Sequence, residues 1–222
     1  MHSTRSGWRS RDITLRWLLP MAGLVSLIGY WGSWVAHPVA GLAILGLDLG
    51  EYVKFLPSIR SGQIQLWREG FYLPLVAVSL AFSLFAYRPE LRYPRWLRLL
   101  FLAVAIVAAL NLLPPAWTPA RMMTDEFQQQ ALAILLCLTA VAFSPVLALW
   151  KAVVTGALIA LLSLVAVIVP VWQFFRVLPG ISILYNHALS WGWGVGVMGM
   201  GLLALTAGGV LLTISRSPTR GA

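Results

Sequence analysis

The side chains of this sequence best suited to chemistry are His37, Asp48, Glu51, Lys54, Asn186 and His187. Asp48, Glu51 and Tyr52 stand at i, i+3 and i+4, the spacing that puts side chains on one face of a helix. Glu51 and Lys54 have the separation of an intrahelical ion pair. Imidazoles titrate near neutrality and ligate metals, so His37 and His187 could hold a metal ion, ligate haem as a pair or relay protons. With the acids they could equally hold a polar headgroup. No motif selects among these chemistries. The chain has no G-x-S-x-G, no H-E-x-x-H, no P-loop and no paired aspartates within an apolar tract, so the familiar hydrolytic and nucleotide-driven activities lack their residues. Its single cysteine, Cys137, excludes an internal disulfide and a cysteine metal cluster. No catalytic residue, metal or cofactor is therefore assigned, and haem or metal at His37 and His187 stays as an alternative.

The elements that must position these residues follow from composition. The 222 residues are 59% hydrophobic and 10% charged, with a formal net charge of +9. Soluble domains carry about 25% charged residues, so a water-soluble globular or disordered chain is excluded. Nucleic acid is not expected as a partner, because the cations do not cluster on a polar scaffold.

A bilayer core of about 30 Å takes about 20 apolar residues per helix. Apolar tracts predict an all-α polytopic bundle, a single membrane domain over 1–222, with six transmembrane helices at about 17–36, 70–87, 97–113, 126–143, 151–172 and 187–214. The first is read as an uncleaved span, since Trp34 occupies a place where signal cleavage requires a small residue. The long tract Asp125–Trp172 reads as a hairpin turning at Ser144-Pro145, where proline disfavours helix in the residue before it.

With both termini cytoplasmic, the inner segments hold Arg5, Arg9, Arg11, Arg16, Arg88, Arg92, Arg95, Arg98, Lys151, Arg216 and Arg220. The outer ones hold only Lys54, Arg60, Arg68, Arg121 and Arg176. That asymmetry obeys the positive-inside rule. A seventh span at His37–Leu56 would bury Asp48, Glu51 and Lys54 and erase most of the bias. The segment 37–69 is instead expected as one amphipathic helix on the outer side, interfacial or re-entrant, with Leu42, Leu45, Leu49, Tyr52 and Leu56 as its apolar stripe. Trp34, Trp67, Trp117, Trp172 and Trp191 would form the outer aromatic belt.

Small residues mark close packing. Gly29 and Ser33 on the first span, and Gly192, Gly196 and Gly199 on the sixth, suggest that these two helices meet. Such contact would bring His37 and His187 into one pocket roofed by Asp48, Glu51 and Lys54. The chain thus reads as an accessory or permease-like subunit of a membrane transport or other membrane complex. Its partners would be the lipid bilayer and other membrane subunits or a second copy, in a bacterial-type plasma (inner) membrane. The alternative is a small membrane enzyme, or a redox or lipid-binding protein, using His37, Asp48, Glu51 and His187 at the outer face.

Overall fold

The computed structural model is 73% helical and describes residues 4–37, 39, 43–115 and 117–214, without the side chains of 4–13. Leu42, Arg216 and Arg220 lie outside the described residues, as do the side chains of Arg5, Arg9 and Arg11. In chain order the helices are α1 (Thr4–Tyr30), α2 (Gly46–Tyr52), α3 (Pro57–Arg60), α4 (Leu73–Phe85), α5 (Arg95–Leu110), α6 (Pro119–Met122), α7 (Gln128–Ala142), α8 (Ser144–Leu147), α9 (Ala152–Leu184) and α10 (Trp193–Ile214). Three short strands, β1 (Ser33–Ala36), β2 (Ile44–Leu45) and β3 (Ser190–Trp191), form an antiparallel sheet in the order β2-β1-β3.

Among the described residues three helical stretches are long and apolar enough to cross a membrane: Arg68–Phe85, in which a 3-10 turn leads into α4, and the whole of α9 and α10. Thr14–Tyr30 and Gln128–Ala142 are apolar but shorter. Of the Arg68–Phe85 window 78% is buried, against 33% for α9 and 44% for α10. α4 is accordingly the central helix. It packs on α1, α5, α7 and α9, with Phe82 and Phe85 stacking edge-on against Phe101 of α5. The outer helices turn apolar side chains outward, among them Leu99, Leu135, Leu161, Ile168 and Leu203. Such a surface suits lipid rather than water.

α1, α10 and α9 form a seam built on missing side chains. A Cβ at Gly29 would fall on the backbone nitrogen of Met198, and one at Gly201 on that of Ser26. Across the other face of α10, a Cβ at Gly156 would lie 2.5 Å from the carbonyl oxygen of Gly209. Backbones that meet this closely gain dispersion contacts along their whole length. The residues on α10 that face α1 are Gly194, Gly201 and Gly208. Gly192 abuts the carbonyl of Ser33, but Gly196 points to the Trp191 ring and Gly199 to Val167, so the expected Gly192/Gly196/Gly199 stripe is replaced by one shifted around the helix.

Several boundaries differ from the apolar tracts. α1 stops at Tyr30, and Ser33–Ala36 becomes strand β1. The hairpin turns at 148–151 rather than at Ser144-Pro145, because Pro145 stands in the first turn of α8, where its missing N–H costs nothing. Ser144 instead donates its hydroxyl to the Ser83 carbonyl at 2.5 Å. α9 runs on past Trp172 to Leu184, 33 residues in all, and is about 50 Å long at the α-helical rise. α10 starts only at Trp193, since 187–192 is spent on a loop and β3.

The 37–69 segment is not one amphipathic helix. It comprises β2, α2, a 3-10 turn (Val53–Phe55) and α3. Pro57 divides it: Leu56 is extended (ψ 128°) as the residue before a proline must be, and α3 starts at Pro57. These pieces pack into the core near the C-terminal half of α9. Leu49, Val53 and Leu56 are buried with Phe174, Val177 and Ile181 in one cluster. Trp34, expected at the membrane boundary, is wholly buried at its centre, edge-on to Tyr30, Phe71 and Phe174.

Candidate functional site

The sheet sets the first part of the site. β1 pairs with β3 through Val35 with Trp191 and Ala36 with Ser190, and an antiparallel pair brings the residues just beyond its ends together. The His37 and His187 rings therefore approach to 6.0 Å between centroids, and Tyr185 lies 5.4 Å from His37. Asn186 makes the turn out of α9 at φ +49°, a left-handed conformation that asparagine tolerates better than most residues. His37 accepts the Val39 N–H on Nδ1 at 3.0 Å, which leaves Nε2 as its remaining ring nitrogen. Among the described residues no group of three or more His, Cys, Asp or Glu side chains comes together as a metal site.

The second part is a cleft of about 680 Å³ between α2 and the C-terminal end of α5. Asp48, Glu51, Tyr52 and Tyr72 line one side, while Val107, Leu110, Leu113 and Pro114 line the other, with Asn111 among them and Phe55 at the edge. Gly50 makes the close fit possible: a Cβ there would lie 2.6 Å from the Tyr72 ring and hydroxyl. Tyr72 thus rests on the α2 backbone and turns its hydroxyl toward Glu51 at 3.5 Å. Asn111 donates its amide N–H to the Val107 carbonyl at 2.8 Å, which leaves its side-chain oxygen as the group to offer.

The third part is an ion network behind the cleft. Lys54 bridges Glu51 at 2.5 Å and Glu126 at 2.8 Å. Arg68 pairs with Glu69 at 2.7 Å and Glu126 at 3.3 Å. Lys54, Arg68 and Arg121 surround the buried Phe127 ring at 5.3–5.5 Å from its centroid, a cation–π arrangement that gains from exclusion of water. Burial works to lower the Lys54 ammonium, but hydrogen bonds to Glu126 and Glu51 outweigh it and hold the group above its ordinary value. The hydrogen bond from Lys54 is also the main reason that the Glu126 carboxyl sits below its ordinary value. The network ties the 37–69 segment to the start of α7.

The expected single pocket is therefore three neighbouring places. The structure brings Asp48 and Glu51 to the cleft, Glu51 and Lys54 to the ion network, and His37, Asn186 and His187 to the sheet end. Tyr52 lies between them: it lines the cleft and hydrogen-bonds Tyr185, which stacks near His37. Burial, with that bond second, raises the Tyr52 hydroxyl above its ordinary value, so it stays protonated.

Sequence reasoning passed over Tyr52 as a bridge and missed Tyr72, Arg68, Glu126 and Phe127. Glu126 is 72 residues from Lys54, and no local spacing announces such a pair. Comparison with protein-family models, with curated proteins and with solved structures finds no match to this chain.

Proposed function

We propose that this chain is a non-catalytic integral membrane protein that holds an amphiphilic molecule in the α2–α5 cleft, at the outer surface of a bacterial-type plasma membrane. The single observation that carries the reading is the two-sided lining of that cleft. One wall offers acceptors from Asp48, Glu51 and Tyr52, and the other is hydrocarbon from Val107, Leu110 and Leu113, with the side-chain oxygen of Asn111 among them. An amphiphile with a donor-rich head, an amine or a set of hydroxyls, satisfies the first wall and buries its chain on the second. An acidic head is disfavoured by the two carboxylates.

In this reading α1, α4, α5, α7–α8, α9 and α10 are six spans with both termini cytoplasmic, and the 37–69 segment caps the bundle outside. The distribution of arginine and lysine supports that orientation. The buried side chains along the helix bundle support binding rather than transport. Among the described residues the buried polar ones are hydroxyls, Ser26, Ser79, Ser83, Ser144, Thr155 and Ser163, with Arg88 and Gln130 near helix ends and the uncharged Gln173 inside α9. A conducting path normally displays ionisable groups or open carbonyls at mid-membrane. An accessory role beside other membrane subunits fits a binder of this kind.

The test is to purify the full chain from membranes and identify the co-purifying small molecule by mass spectrometry. Leu110→Trp, at a 44% exposed position, fills the cleft and is expected to abolish retention. Asp48→Asn is expected to weaken it about tenfold, the loss of one charged hydrogen bond. Equal occupancy in all three proteins, or no bound amphiphile in any, overturns the reading.

A further inference from the structure

The opposite end of the molecule carries a second recess. α7 packs on α4 and α5, whereas α9 packs on α4 and α10, and the two leave a groove between them. Leu80 and Leu84 of α4 form its floor, Phe143 and Leu147 one wall, and Leu158 and Leu162 the other. Its volume is about 510 Å³, on the scale of one long acyl chain. Among the described residues no charged side chain lines it, so only hydrocarbon gains by entering. It ends at Trp150, which it shares, together with Leu158, with a shallower recess that includes Lys151.

The charge at that rim is unbalanced. Lys151 is exposed and forms no salt bridge among the described residues. The nearby Arg88 is buried beneath the same turn, donates to the carbonyls of Ala148 and Trp150, and is neutralised by Glu90 at 2.8 Å. Among the described residues, one unpaired cation therefore stands where an apolar groove opens. We propose that this groove binds one anionic phospholipid, its acyl chain between α7–α8 and α9 and its phosphate against Lys151. The long apolar walls favour a diacyl lipid over a soluble anion, and the unpaired ammonium favours a net negative headgroup over a zwitterionic one.

Native mass spectrometry of the full chain, exchanged into micelles holding equal phosphatidylglycerol and phosphatidylcholine, tests this. The wild-type chain is expected to retain phosphatidylglycerol in preference. Lys151→Gln is expected to cut that preference about fivefold, the usual effect of one lysine at a membrane surface. Ala140→Phe, which lines the groove, should lose both lipids there, with Leu158→Phe as a second filler should the first fail to fold. Lack of preference in the wild-type chain, a preference unchanged in Lys151→Gln, or full retention with the groove filled would each overturn the proposal. Because Lys151 is exposed, its replacement leaves folding intact and decides the headgroup question by itself.

Discussion

Arg88 shows how far a residue's role can depart from its apparent one. By sequence it is one of four arginines in a basic inner turn, a topology signal. In the structure it is 2% exposed, and its guanidinium closes the chain ends of a different hairpin: the Ala148 carbonyl at 3.2 Å, the Trp150 carbonyl at 2.6 Å and the Thr155 hydroxyl at 3.3 Å. Those acceptors lie 60 or more residues away, so nothing around Arg88 in sequence could reveal them. Arg88→Met removes one partner of a buried pair and strands carbonyls that had lost their helical donors. We expect a loss of about 3 kcal/mol, read as a lower unfolding midpoint in mild detergent. Adding Glu90→Leu should recover part of it by removing the orphaned carboxylate. The histidines illustrate the converse. Sequence placed His37 and His187 on one side of the membrane, and their 6.0 Å approach follows from strand pairing that apolar counting could not see.

At the scale of elements, hydrophobic periodicity located the helices but not their ends. The tract that runs to Ala36 contains both α1 and β1, because a buried strand and the end of a buried helix have the same composition. The 37–69 segment was misjudged for a local reason that was visible: Pro57 stands inside the expected helix, directly after its apolar stripe, and proline divides a helix there. The glycines were legible as packing signals, yet their phase was not. The decision between faces of α10 belongs to the neighbours. Gly201→Val would drive a branched side chain into the α1 backbone at Ser26 and should cost about 2–3 kcal/mol by overpacking. Gly199→Ala, whose Cβ would sit 3.7 Å from Val167, should leave the melting temperature nearly unchanged. Equal effects from the two substitutions would refute the assigned seam.

For the molecule as a whole, composition alone pointed to a membrane protein, with which three helices long and apolar enough to span are consistent, and sorting the charges by side proposed its orientation. Cysteine labelling with a membrane-impermeant maleimide checks that orientation, in a Cys137→Ser background. Gln63→Cys on the outer cap is expected to react in intact cells, and Arg95→Cys only after permeabilisation. Reaction of both from outside would invert or remove a span. The three-stranded sheet has a further consequence, for the order in which the chain is made. β1 is the middle strand and gains its second partner only from β3, more than 150 residues later, while the most extensive partner of α1 is α10. Newly synthesised α1 therefore waits with a bare glycine face and an open strand edge, the kind of surface that recruits wrong partners. Closure of the sheet is thus expected late, and releasing the chain before α10 would forestall it.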